Sequence, residues 1–141
     1  MLIYIDINRG IRHHRQTFKI EDKLKELEGI DFDSKNVVIA VPTFDEKMRH
    51  IEKEHKRLFV QQECDALYLT KHFKENTDAR FVDVILDDAH MWQIIDMFGE
   101  PIDYLILLHQ FTTIEKRYMI RELREDCHGR LNTDMKIIEL H

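Results

Sequence analysis

Several residue types are scarce in this chain of 141: it has two prolines, four glycines and two cysteines, and its single serine is Ser34. So little proline and glycine, beside a hydrophobic fraction of 43%, excludes collagen-like and disordered chains and points to a packed globular one. Long apolar runs are missing too. Stretches such as Tyr104 to Leu108 fall far short of the roughly 18 residues that a bilayer-spanning helix needs. No basic segment followed by an apolar one opens the sequence, since Met1 leads straight into Leu2-Ile3-Tyr4-Ile5. The expectation is a cytoplasmic protein with no secretory leader and no membrane partner. Cys64 and Cys127 each lack a second cysteine nearby. That excludes a zinc ribbon or a CxxC redox pair and leaves two reduced thiols. The lone serine sits in a polar stretch without a nucleophile-elbow pattern, so Ser-His-Asp catalysis has no support.

Positive charge is also in deficit. With 27 acidic against 21 basic side chains, the formal net charge is −6, which disfavours a chain that coats nucleic acid by electrostatics alone. One local exception stands out: Arg9, Arg12, His13, His14, Arg15 and Lys19 gather near the N-terminus.

What the chain does have is a regular alternation of short apolar runs with charged, helically patterned stretches. There is no linker, repeat or low-complexity segment, and the length suits a single domain over residues 1–141. Leu2 to Ile7 reads as a strand closed by Asn8-Arg9-Gly10. A helix is expected from about Thr17, with Phe18, Ile20, Leu24 and Leu27 on one face and Gly29 as its stop. Val37 to Val41, opened by Asn36 and closed by Pro42, has the continuous apolar character of a strand buried on both faces. Asp45 opens a further helical pattern through Met48, Ile51, His55, Leu58 and Phe59. The stretch Cys64 to Glu75 is ambiguous and leans to helix.

Phe81 to Leu86 and Tyr104 to Leu108 are two more buried-strand patterns, with a short helix expected from Ala89 to Phe98 before Gly99. A charged helix from Thr113 to about Asp126 and a closing strand from Met135 to Leu140 complete the chain. Strands alternating with helices imply right-handed crossovers. The expected fold is a three-layer α/β domain: a mainly parallel sheet of about five strands with helices on both faces. Such sheets bind ligands beyond the carboxyl ends of their strands, so the chemistry is sought there.

After the first strand comes Gly10-Ile11-Arg12-His13-His14-Arg15-Gln16-Thr17. Set against the phosphate-loop pattern GxxxxGK[ST], it keeps the first glycine and the final threonine. Arg15 stands where the second glycine belongs, and Gln16 where the lysine belongs. After the Phe81 strand come Asp87-Asp88-Ala89-His90, the paired acids of a Walker B strand. In that pattern the first carboxylate holds Mg²⁺ and the second polarises a water. The competing account is that these acids cap the helix starting at Ala89.

Together these features resemble the RecA-like domain of P-loop NTPases, of the helicase-related kind often found as small phage and mobile-element proteins. Val41-Pro42-Thr43 resembles helicase motif Ia, Asp87-Asp88-Ala89-His90 resembles a DEAH box with a shortened glutamate, and His109-Gln110 falls where the family places a sensor residue. The resemblance covers roughly residues 1–112. It implies ATP with Mg²⁺ as cofactors, Thr17 and Asp87 on the metal, Asp88 as base, and Gln110 as sensor of the γ-phosphate. Gly10, Arg12, Arg15, Gln16 and Thr17 would line the nucleotide. DNA, a DNA-processing protein, or a second copy of the chain are the partners it implies. Losing the lysine removes the point charge that grips the phosphates, for which Arg12 or Arg15 could substitute. Two functions stay open: a DNA-related ATPase with a degenerate loop, and a non-catalytic adaptor on a repurposed P-loop fold.

Other signals are weaker. His50, Glu54 and His55 match neither HExxH nor HxxEH, and His55 is turned about 140° from His50 on a helix. Glu21-Asp22-Lys23 and Glu54-His55-Lys56 would suit a nuclease only on strands, and both fall in helical patterns. Arg117, Arg121 and Arg124 share a helix face with acids around them, the pattern of a salt-bridged solvated surface. Trp92 fits the core better than a base-stacking platform.

Overall fold

The structure, a computed structural model, describes residues 2–7, 19–41, 49–86, 99, 102–108, 114, 117, 121 and 135–140, with the backbone alone at 49–59 and 86. Five strands and two helices are resolved among them: β1 (Leu2–Asp6), α1 (Ile20–Glu26), β2 (Asn36–Val41), α2 (Arg49–Asn76), β3 (Phe81–Leu86), β4 (Ile102–Leu107) and β5 (Lys136–Glu139). The strands form one sheet in the order β3-β2-β1-β4-β5, and every neighbouring pair is parallel.

Burial explains the order. The three inner strands carry the most continuous apolar sequence: β2 is buried at all six positions, and Leu2, Ile3, Tyr4 and Ile5 of β1 are buried on both faces. The edge strands are less buried. In β3, Val82 is buried while Asp83 is exposed, and β5 begins with the exposed Lys136. Charged side chains on the edges discourage pairing with another sheet.

Alternation along each strand sorts the core into two layers. On one face Ile3, Ile5, Ile7, Val37, Ile39, Val41, Val82, Ile106 and Leu108 pack with Ile20 and Leu27 beside α1 and with Ala66, Leu69 and Phe73 of α2. The Phe73 ring meets Phe32 with centroids 4.6 Å apart. On the other face Leu2, Tyr4, Val38, Ala40, Ile102, Leu105 and Leu107 form a second buried cluster.

α1 starts later than its apolar spacing suggests. Lys19 is extended (φ −91°, ψ 134°), and the first helical residue is Ile20. Glu21 and Asp22 occupy its first turn and Lys23 and Lys25 its last, a charge order that suits the helix dipole. α2 resolves the ambiguous stretch: Cys64 to Glu75 continues the preceding pattern into one helix of 28 residues. The expected strands are all found. The helices expected over 89–98 and 113–126 lie outside the described residues, except that Gly99 has the positive φ of 69° that ends helices and that residues 114, 117 and 121 are helical. No helix among the described residues is long and apolar enough to cross a membrane.

Candidate functional site

Because all five strands are parallel, their carboxyl ends share one edge. Ile85, Ala40, Asp6, Leu107 and Glu139 stand level there. One residue further out, Ile7 N–H donates to the Ala40 carbonyl at 3.2 Å, Leu108 N–H to the Asp6 carbonyl at 3.4 Å, and Leu140 N–H to the Leu107 carbonyl at 2.9 Å. The chain runs from β1 through β2 to β3 in one direction, then returns to β4 on the other side of β1. The order therefore reverses between β1 and β4, and in open α/β sheets ligands bind beyond the strand ends at such a point.

At the opposite edge, the segments leading into β2 and β3 are tied to each other. Asp33 N–H donates to the Asp31 carboxylate at 2.9 Å, and the Asp33 carboxylate accepts Asp78 N–H at 2.9 Å. Ser34 N–H donates to the Asp78 carbonyl at 2.9 Å, and Arg80 N–H to the Lys35 carbonyl at 2.9 Å. At the start of β4 the ladder skips a residue: Leu2 faces Ile102 but Ile3 faces Tyr104. The intervening Asp103 accepts Leu2 N–H on its carboxylate at 3.1 Å.

α2 links the two edges and overshoots one of them. At 28 residues it is about 42 Å long, against about 20 Å for a six-residue strand. Its C-terminal end lies at the amino edge, where Thr77 to Arg80 lead into β3. Its N-terminal portion therefore extends beyond the carboxyl edge. Gln62 stands about 21 Å along the axis from Asn76, close to the level where β2 and β3 end.

Two polar residues sit on the inward stripe of α2 at this level. Asp65 is fully buried and Gln62 is 2% exposed. Gln61 Nε2 donates to Asp65 Oδ1 at 2.9 Å. Gln62 Oε1 is buried without a hydrogen-bond partner, an arrangement that costs free energy and is rare in folded proteins. Neither residue stands out in the sequence while the Cys64 to Glu75 stretch is ambiguous. Read as one helix, the spacing Gln62, Ala66, Leu69, Phe73 would have marked the buried face. Asp6 lies outside the sequence motifs as well: it is an acid at the carboxyl end of the central strand, half buried.

No family model, curated protein or solved structure matches this chain. What bears on function is its own geometry.

All eight sequence-derived site residues lie outside the described ones: Gly10, Arg12, Arg15, Gln16 and Thr17, which follow β1; Asp87 and Asp88, which follow β3; and Gln110, which follows β4. The strands leading to them are described. β1 and β4 are neighbours, whereas β2 lies between β1 and β3. The ends of β1 and β3 are thus two strand spacings, about 9–10 Å, apart on the same edge. Thr17 also precedes the extended Lys19 rather than the first turn of α1. The nuclease-like strings Glu21 to Lys23 and Glu54 to Lys56 are on helices, not strands. Among the described residues no three His, Cys, Asp or Glu side chains form a metal cluster, and Cys64 is a free, exposed thiol.

Proposed function

We propose that this chain is a nucleotide-binding α/β domain of the P-loop kind, related to helicase and DNA-processing ATPases, in which a degenerate phosphate loop supports binding with weak hydrolysis or none. The observation that carries the proposal is the position of β1. It is the central strand, it borders the reversal in strand order, and the chain leaving its carboxyl end is the one with Gly10, Arg12, Arg15, Gln16 and Thr17.

In this reading Arg12 and Arg15 grip the phosphates. A guanidinium binds phosphate with paired, charge-assisted hydrogen bonds and needs no helix end to do so. That matters because α1 has seven residues and begins only after the extended Lys19, so its dipole is a poor substitute for the missing lysine. Gln16 adds an uncharged donor. Gln110, after β4, is next to this segment in strand order and serves as the sensor of the terminal phosphate.

Hydrolysis is the weaker half. Mg²⁺ held jointly by Thr17 and Asp87, with Asp88 polarising a water, requires chain leaving β1 and chain leaving β3 to meet across the end of β2. Mg²⁺ accepts oxygens only at about 2.0–2.1 Å, so the spacing of about 9–10 Å between those strand ends must be closed by the residues beyond them. The same spacing favours the second reading, a non-catalytic adaptor that keeps the fold and binds a DNA-processing protein or DNA.

Thermal melting with added nucleotide tests the proposal. ATP at about ten times its Kd should add about 1.4 kcal/mol, which corresponds to a rise in Tm of about 3–5 °C. The rise should persist in Asp87→Asn and fall in Arg12→Ala with Arg15→Ala. Restoring the pattern with Arg15→Gly and Gln16→Lys should enlarge it. No rise at millimolar ATP would leave the adaptor reading alone.

A further inference from the structure

We infer that α2 carries a self-docking face, through which two copies of this chain pair antiparallel about a two-fold axis at Leu67. The inward stripe of the helix is occupied by Gln62, Asp65, Ala66, Leu69 and Phe73. The opposite stripe leaves large apolar side chains in water: Leu67 is 68% exposed, Val60 49% and Tyr68 40%, with the exposed Cys64 among them. Single exposed apolar residues are ordinary on protein surfaces. Three at helical spacing on one face need a cover.

The charges around Leu67 say what covers it. Glu63 and Lys71 are both exposed and stand one turn before and one turn after Leu67, on its own stripe. In an antiparallel pair centred on Leu67, each residue before the centre faces the residue equally far beyond it. Glu63 of each copy then meets Lys71 of the other, so two opposite-charge pairs flank a buried pair of leucines. Val60 meets Lys74, whose aliphatic stem can lie over it. A parallel pair would set Glu63 against Glu63 and Lys71 against Lys71. Opposite charges equidistant from Leu67, the most exposed apolar residue among the described side chains of α2, are self-complementary, the requirement for a two-fold interface.

Such a contact is modest in size. Centred on Leu67, the two copies of α2 (Arg49–Asn76) overlap only over residues 58–76, about 28 Å, and bury an area near the lower end of specific interfaces, which points to a reversible dimer.

Sedimentation equilibrium of the full chain, from about 1 to 500 µM to bracket a micromolar Kd, tests this. The expected result is a monomer–dimer equilibrium abolished by Leu67→Asp, with circular dichroism confirming that this exposed-site variant stays folded. Glu63→Lys or Lys71→Glu alone should weaken dimerisation by about tenfold. The two together should restore it, because the swapped charges again face each other. A monomer at every concentration, a dimer indifferent to Leu67→Asp, or a double variant as weak as the single ones would overturn the inference.

Discussion

The Asp33 carboxylate accepts the backbone N–H of Asp78 at 2.9 Å, tying the loop before β2 to the loop before β3. With Ser34 N–H donating back to the Asp78 carbonyl, this cross-link ties the amino edge of the sheet at β2 and β3. Asp33→Ala is expected to cost about 0.5–1.5 kcal/mol and lower Tm by several degrees without altering ligand binding. Asp33→Asn keeps an acceptor oxygen and should cost less. Melting curves of both variants, with and without nucleotide, check this.

Ser34, in the same turn, has φ of +62°, a left-handed backbone that disfavours most side chains and β-branched ones above all. Ser34→Val is expected to destabilise by about 1–2 kcal/mol. Ser34→Asn should stay near the parent, since asparagine tolerates this region. Urea unfolding midpoints give the comparison. A valine variant as stable as the parent would mean that the turn relaxes to another conformation.

Gln62 and Asp65 are adjacent on the buried stripe of α2 yet should respond in opposite directions. Gln62 Oε1 makes no hydrogen bond, so Gln62→Met removes an unsatisfied acceptor and should hold or raise stability by up to about 1 kcal/mol. Asp65 is hydrogen-bonded by Gln61 and fully buried. Asp65→Ala leaves a cavity and an abandoned donor, and should cost about 1–3 kcal/mol. Equilibrium denaturation of the two variants decides. Equal losses would show that Gln62 is satisfied in solution.

Much of this fold is legible in the residues alone. Val37 to Val41 and Tyr104 to Leu108 are too short and too evenly apolar for anything but buried parallel strands, and the structure places them beside β1 in the middle of the sheet. Asp83 is exposed within β3, which lies at an edge, but acids alone do not mark an edge, since Asp6 and Asp103 stand in inner strands. The length of α2 is harder to read, because its solvent face carries Val60, Cys64, Leu67 and Tyr68. Apolar residues all round the stretch blur the helical period and hide the buried Gln62 and Asp65. Strand order is the least legible property. No local pattern tells β2 to insert between β1 and β3, since that choice depends on which face each crossover helix covers. The helix start is legible only in part: Ile20, Leu24 and Leu27 give the face of α1, but nothing in the spacing announces that Lys19 is extended.

The most direct test of the account is an NMR titration with ATP, with and without Mg²⁺, followed at backbone amides on both edges of the sheet. Ligand held by the segment after β1 should shift the amides of Ile7, Val41 and Leu108, at the ends of β1, β2 and β4, progressively and to saturation. Ser34, Asp78 and Arg80, at the opposite edge, should not move. Shifts confined to the amino edge, or none at millimolar ATP, would contradict a nucleotide site at the carboxyl ends of these strands.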